Sequence, residues 1–450
     1  MHKVLIAGRG EIAVRIARAC RDAGLASVAV WAPLDRSAVH VAAADQAVPL
    51  PGATLAQTYL NAGRLLRAAA DSGADALHPG YGPLAESAEF AEAVLEAGLA
   101  WIGSPPASLR RLSDKTSARQ AARQAGVPPL PGLATPASGV AQVAAFARDN
   151  GLPIAIKAVA GGGGRGVAVA WSAGQIADAY RRAAAASVAA GGRAECFAER
   201  YLAQARLVEA QCLADGYGHV AVISTRDGSL QRRHQKVVEE AQAPFLPDAV
   251  DGRIRAASRE IVRAAGGRGA ATCEFLLGAD GTLAFLEANP RLSVAHPVSE
   301  EVSGLDLVRE TLRIAQGEPL GFGEVGSRGH ALQFRVYAED PSQGFAAGSG
   351  TVRAWHPPSG PGVRVDSGTA AGTVVDPAFG TLLAKLIVTG ASRHQALRRA
   401  GQALQEFEVA GVATSLPLYR RLIEDEEFAP RDPGRPFAVH TGWLEARYPG

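Results

Sequence analysis

Two carboxylates, Glu274 and Glu287, bracket the stretch CEFLLGADGTLAFLE, which reads as a β-hairpin turning at Asp280–Gly281. With those two as the loop residues, Ala279 pairs with Thr282, and counting outward sets Glu274 opposite Glu287. Like charges facing each other across strands are destabilising unless something neutralises them. A hard cation does so, and magnesium commonly takes one or two carboxylates together with nucleotide phosphates. The alternative is a pair of solvated carboxylates, which the apolar neighbours disfavour. After Glu287, the residues Asn289, Arg291 and Ser293 follow at every second position, so on an extended strand all four project from one surface. The row then ends on Ala295.

Three other segments carry chemistry-bearing residues. Lys157 precedes AVAGGGGRG, with Gly162, Gly163 and Gly164 inside a run of glycines. Such a run costs backbone entropy, but it permits close approach to a ligand and leaves N–H groups free to cradle phosphate oxygens. A phosphate-covering lid is favoured over a flexible linker, and the absence of a following Lys-Ser/Thr excludes a P-loop. In QRRHQKVVEEAQAP, His234, Lys236, Glu239 and Glu240 surround two valines in a strand-like stretch. This cluster is either a solvated edge strand or the pocket of an anionic substrate. Finally, GRGEIA places Gly8, Gly10 and Ala13 after a strand, with Asp35 after the next one. That spacing fits the variant dinucleotide fingerprint, or simply a tight turn between packed strand and helix.

The elements that must hold these residues change character along the chain. The first hundred residues alternate strands (KVLIAG, SVAVWA, ADALHPG, LAWIGS) with amphipathic helices, which implies a parallel sheet covered on both faces. The proline-rich PPASLRRL and GVPPLPGLATP mark a boundary. Beyond it, LPIAIKAVAGGGGRGVAVAW reads as two strands joined by the glycine run. A mixed region follows, then a strand-rich one ending in the helix RHQALRRAGQALQEF. At 450 residues, 47% hydrophobic and 20% charged, the composition is that of a multi-domain globular protein. A net charge of +2 argues against an electrostatically driven nucleic-acid binder. The four cysteines lack CxxC spacing, which suits a reducing cytoplasm, and no apolar run is long enough to span a bilayer.

Taken together, LIAGRGEIAVRI, HPGYG, SDK, GGGGRG, RRHQKVVEEA, EFL and GHALQFRVYAEDP resemble biotin carboxylase, the ATP-grasp component of biotin-dependent carboxylases, nearly end to end. The resemblance implies a fold of class α/β and α+β. Its parts are a Rossmann-like domain over 1–113, a linker over 114–130, an ATP-grasp lid over 131–202, an ATP-grasp core over 203–327 and a C-terminal biotin-carboxylase domain over 328–450. It also implies that the first glycine turn does not bind NAD. By the same resemblance, Lys115 and Lys157 meet the ATP phosphates, and Glu199 lies near the adenine and hinge. His234 belongs to the nucleotide site, and Glu274 and Glu287 hold Mg²⁺ or Mn²⁺ with Asn289 beside them. Lys236 and Arg291 hold bicarbonate, and Arg335 stabilises the biotin enolate. The family joins bicarbonate to the γ-phosphate of ATP, giving carboxyphosphate, from which biotin is carboxylated.

Biotin itself is expected on a partner, a biotin carboxyl carrier protein, because the biotinyl lysine usually lies between two methionines and the only methionine here is Met1. A carboxyltransferase subunit and a homodimer through the C-terminal region are the other implied partners, with no nucleic acid and no membrane. Departures from the family cluster at the acceptor end. Where the family usually reads NTRLQVEHPVTE this chain reads NPRLSVAHPVSE, so Ser293 and Ala295 replace a bicarbonate-contacting glutamine and the glutamate taken as general base. Leu207, Pro83 and the stretch DPAFGT also depart. Alanine cannot take a proton, so bicarbonate activation is expected to be impaired or altered. One alternative is an ATP-grasp ligase for a bulkier acid admitted by the space the two losses open. Another is a non-catalytic ATP-binding subunit of a carboxylase.

Overall fold

A computed structural model describes residues 1–159, 166–189, 193–430, 432 and 437–448, the side chains of residues 115 and 116 excepted. The N-terminal alternation forms a five-stranded parallel sheet. Its order is Gln46–Pro49, Ala26–Trp31, Lys3–Ile6, Ala76–His78, Ala100–Trp101. Helices Gly10–Asp22, Ala62–Ser72 and Ala88–Glu96 bury their apolar stripes against it. Gly73, in the left-handed region at φ 65°, closes the second helix and turns the chain into the next strand.

The glycine turn is plugged from a distance. A Cβ on Gly368 would stand 2.4 Å from the Cα of Gly10, so the C-terminal region lies directly on the turn that a pyrophosphate would need. Asp35 is equally engaged: it accepts from Arg9 Nε at 2.8 Å and from the Tyr59 hydroxyl at 2.6 Å. The dinucleotide spacing is therefore structural here.

An eight-stranded antiparallel sheet forms the body of the molecule. Its order is Leu283–Asn289, Gly269–Leu277, Arg206–Ala214, Val220–Asp227, Val238–Ala241, His330–Tyr337, Leu382–Gly390, Val363–Ser367. It runs without a break from the residues expected to be ATP-grasp core into those expected to be the C-terminal domain, joined where Val238–Ala241 pairs with His330–Tyr337. A buried pair fixes that join: Glu240 accepts from Arg393 Nε at 2.7 Å and lies 2.9 Å from His330 Nε2.

The two strands flanking the glycine run do pair, Ile154–Ala158 with Val167–Ala170, and Cys196–Arg200 completes a small sheet. Helices Val140–Asn150 and Ile176–Ala189 bury their apolar residues with it. Gly162, Gly163, Gly164 and the side chain of Lys115 lie outside the described residues.

Candidate active site

A cleft of about 730 Å³ opens between the small sheet and the large one. Every predicted site residue with a described side chain lines it: Lys157, Glu199, His234, Lys236, Glu274, Glu287, Asn289, Arg291 and Arg335. They arrive from seven separate strands, turns or loops spread over nearly 180 residues, and the pairing of strands within the two sheets brings them together.

At one end Lys157 forms an ion pair with Glu199, which also accepts from Arg119 NH1 at 3.2 Å. Burial works against the Glu199 charge, but Lys157 and Arg119 outweigh it and hold the carboxyl below its ordinary range. Leu207 lines the same cleft and is itself buried.

At the floor, Glu274 faces Glu287 across the strands as expected, although the turn does not have the expected shape. Leu277 pairs with Leu283, leaving a five-residue loop, and a bulge between Glu274 and Phe275 restores the register. The two departures cancel at the carboxylates. The rung also extends further than the sequence suggested. Glu209, on the next strand, lies opposite Glu274, so three carboxylates stand side by side, and Arg226 lies opposite Glu209 on the strand beyond.

Lys236 Nζ bridges Glu209 and Glu274, at 2.8 Å from the latter, and Asn289 Nδ2 donates to Glu274 at 3.0 Å and to Glu287 at 3.3 Å. Burial pushes the Glu274 carboxyl up to about 7, and the neighbouring Glu209 and Glu287 charges add to this, against the opposing pull of Lys236. Among the described residues no cluster of three or more His, Cys, Asp or Glu side chains forms a self-sufficient metal cage. Two adjacent carboxylates with excess negative charge fit a magnesium ion whose remaining ligands come from phosphates and water.

The segment Gln231–Lys236 is not the single strand its composition suggested. Gln231 pairs with Lys236 and Arg232 with Gln235 in a tight hairpin, with Arg233 and His234 at φ 47° and 63° in the turn. Both left-handed residues are what a type I′ turn requires. The turn points His234 and Lys236 into the cleft while Val238–Ala241 joins the large sheet.

The acceptor end differs more from the sequence reading. The strand stops at Asn289, so Arg291 and Ser293 reach the cleft from an irregular segment and not from a continued pleat. Arg291 Nε donates to Glu86 at 2.9 Å and its NH2 to Asn289 Oδ1 at 3.3 Å. Glu86 ends the short turn Pro83–Glu86, so the departure at Pro83 sits in the element that delivers it. Arg335 forms an ion pair with Glu239, while its buried Nε has no partner. Thr381, from DPAFGT, bonds Glu339 at 3.0 Å on the facing wall.

Ala295 is 0% exposed and does not line the cleft. Of the two losses expected to open room for a larger acid, only the one at Ser293 therefore faces the cleft. Glu209 was the residue missed. Its signal was present as a carboxylate inside the apolar strand RLVEAQ, but its partners are 17, 27 and 65 positions away.

A nucleotide-sized cleft with a carboxylate floor, a lysine-bearing small sheet and a parallel N-terminal domain defines an ATP-grasp ligase. The family models agree on each part. Biotin carboxylase, N-terminal domain, matches residues 1–109. Carbamoyl-phosphate synthase L chain, ATP binding domain, matches 114–322, and biotin carboxylase C-terminal domain matches 333–446.

The chain is 50% identical over 447 residues to the biotin-dependent acyl-coenzyme A carboxylase alpha3 subunit of Mycobacterium leprae, covering 99% of this chain and 74% of that one. It is 43% identical to the biotin carboxylase of Haemophilus influenzae, covering 95% and 96%. Among solved structures, the biotin carboxylase domain dimer of Hydrogenobacter thermophilus 2-oxoglutarate carboxylase, in complex with MgADP, ADP and bicarbonate, superposes with a TM-score of 0.94. The sequence identity to it is 36%, over 99% of this chain and 97% of that one. The chain belongs to the biotin carboxylase family.

Proposed function

We propose that this protein carboxylates biotin at the expense of ATP, with bicarbonate activated slowly because no carboxylate stands at position 295. The observation that carries this reading is the convergence of Lys157, Lys236, Glu274, Glu287, Arg291 and Arg335 on one cleft. Lys157, with Lys115, neutralises the ATP phosphates. Glu274 and Glu287, with Asn289, would hold Mg²⁺, which would supply positive charge to offset the charge that develops during phosphoryl transfer.

Arg291 and Lys236 hold bicarbonate as its oxygen attacks the γ-phosphate, forming the P–O bond of carboxyphosphate and expelling ADP. Decomposition of carboxyphosphate gives CO₂ and phosphate, and the phosphate takes the proton from biotin N1′. Arg335, a cation lining the cleft, is suited to stabilise the enolate oxygen that results. A positioned general base contributes roughly 10²–10⁴-fold. Its absence slows this chain without abolishing the electrostatic part of catalysis.

The domain division at 113, 130, 202 and 327 is retained in this reading. So are a separate carrier protein for biotin, a carboxyltransferase subunit, a homodimer and a cytoplasmic setting. Among the described residues no helix is long and apolar enough to cross a membrane. The bulkier-acid alternative is left with the space at Ser293, which lines the cleft, since Ala295 has no surface there.

The test is ADP release by the purified protein with Mg²⁺, ATP, bicarbonate and free biotin. Release that rises with both bicarbonate and biotin is expected; release indifferent to both would overturn the reading.

A further inference from the structure

Three carboxylates on one rung are more than the sheet needs, and the way their charge is shared suggests a device. Arg226 gives both Nε and NH2 to a single oxygen of Glu209, Oε2, at 2.9 and 2.8 Å, leaving Oε1 for Lys236. The Arg226 and Glu209 side chains are fully buried, so this end of the rung is fixed. The other hold on Lys236 is different in kind. Glu274 offers it the same oxygen, Oε1, that already accepts from Asn289. Glu274 is also one of the two carboxylates facing each other at the floor of the cleft. The Lys236 side chain lies along Gly228, where an added Cβ would come within 3.2 Å of its Cδ and Cε, and it keeps 16% of its surface open toward the cleft.

Three carboxylates against Arg226 and Lys236 leave the rung one negative charge. A divalent ion at Glu274 and Glu287 would leave it one positive charge, with the surplus on the only one of the two cations that lines the cleft.

We propose that Lys236 and the metal ion compete for Glu274, so that metal binding releases an N–H of Lys236 to the anionic substrate while Glu209 holds the ammonium in place. The proposal rests on Glu274 and Glu287 being the metal ligands. Glu209 is then a positioning residue: it acts on the substrate only through Lys236. The anion site is completed by the metal, and bicarbonate binds well only after it.

The full chain titrated with Mn²⁺ in the presence of ADP, with free ion followed by electron paramagnetic resonance, tests this directly. Replacing Lys236→Met removes a like charge from a ligand oxygen and is expected to lower the Mn²⁺ Kd on the order of tenfold. A Kd unchanged or raised would overturn the proposal. Wild-type protein gives a second measurement that no folding defect can confound. Bicarbonate should raise its melting temperature in Mn²⁺ and ADP but not in ADP alone; an equal rise without metal overturns the ordering. Glu274→Gln separates the two layers of the claim. If it binds Mn²⁺ as well as wild type, the metal assignment fails and the competition falls with it. If it loses Mn²⁺ while Lys236→Met leaves the Kd unchanged, only the competition fails.

Discussion

At the carboxylate floor of the cleft, Glu209, Glu274 and Glu287 stand in line across three strands, the first two paired with Arg226 and Lys236 and the third met only by the Asn289 amide. At the acceptor end, Arg291 and Arg335 keep their cations, each tied to one glutamate, but the hydroxyl of Ser293 only turns back to accept from the Ala295 amide at 3.1 Å. The floor belongs to the sheet, where neighbouring carboxylates must be neutralised if the protein is to fold, so folding and function constrain the same residues. The acceptor wall is an irregular segment after the strand ends, where a side chain is lost without disturbing a rung. Side chains on such a segment are free to change while the carboxylate rung stays as it is.

The contrast is broken most severely from the floor. Glu274→Ala is expected to reduce bicarbonate-dependent ADP release by about 10³-fold, since it removes charge stabilisation at the transferring phosphate. Arg291→Ala, at the wall, should cost about 10²-fold in the same assay and leave ATP binding unchanged. Equal losses in the two variants, or weakened ATP binding in the second, would erase the distinction.

Stability should divide the same way. Arg226→Met leaves the buried Glu209 with Lys236 as its one cationic partner and is expected to cost roughly 3 kcal/mol in denaturant unfolding, more than Ser293→Ala. An acid titration supplies a third comparison. Burial opposes the Glu240 charge, yet Arg393 and His330 outweigh it and hold the carboxyl down to about 2. A depressed carboxyl stabilises the fold above its unfolded pKa, so about 3 kcal/mol should be lost as pH falls from about 4.5 to about 2. Glu240→Gln should flatten that slope. The smallest effect is expected at the domain contact, where Gly368→Ala meets the Gly10 backbone and should cost about 1–3 kcal/mol.

How much of this was legible in the sequence depended on distance along the chain. Glu274 and Glu287 are 13 residues apart and were placed face to face by counting, even though the loop was two residues in the count and five in the structure. The bulge that rescued the register is not visible in composition. Lys236 was found as a cluster member, but the hairpin that aims it needs left-handed Arg233 and His234, types that do not announce such a turn.

Glu209 escaped notice because its meaning depends on pairing between strands 206–214 and 269–277, which no local pattern encodes. The plugged glycine turn is the most distant case: Gly10 and Gly368 touch across 358 positions, and only the fold shows that the dinucleotide spacing is closed. Ala295 shows the converse. Its identity was read at once, but whether its methyl group left a hole could not be known before its burial was.

The central claim is that an intact nucleotide and metal floor is paired with an acceptor wall lacking its base. The most direct measurement is bicarbonate- and biotin-dependent ADP release by the Ser293→Gln, Ala295→Glu double variant beside the wild type. A rise of roughly 10²-fold or more in the variant is predicted, the lower bound of what a positioned base supplies. No rise, in a variant that folds and still binds ATP, would contradict the claim and leave the cleft with some other acceptor.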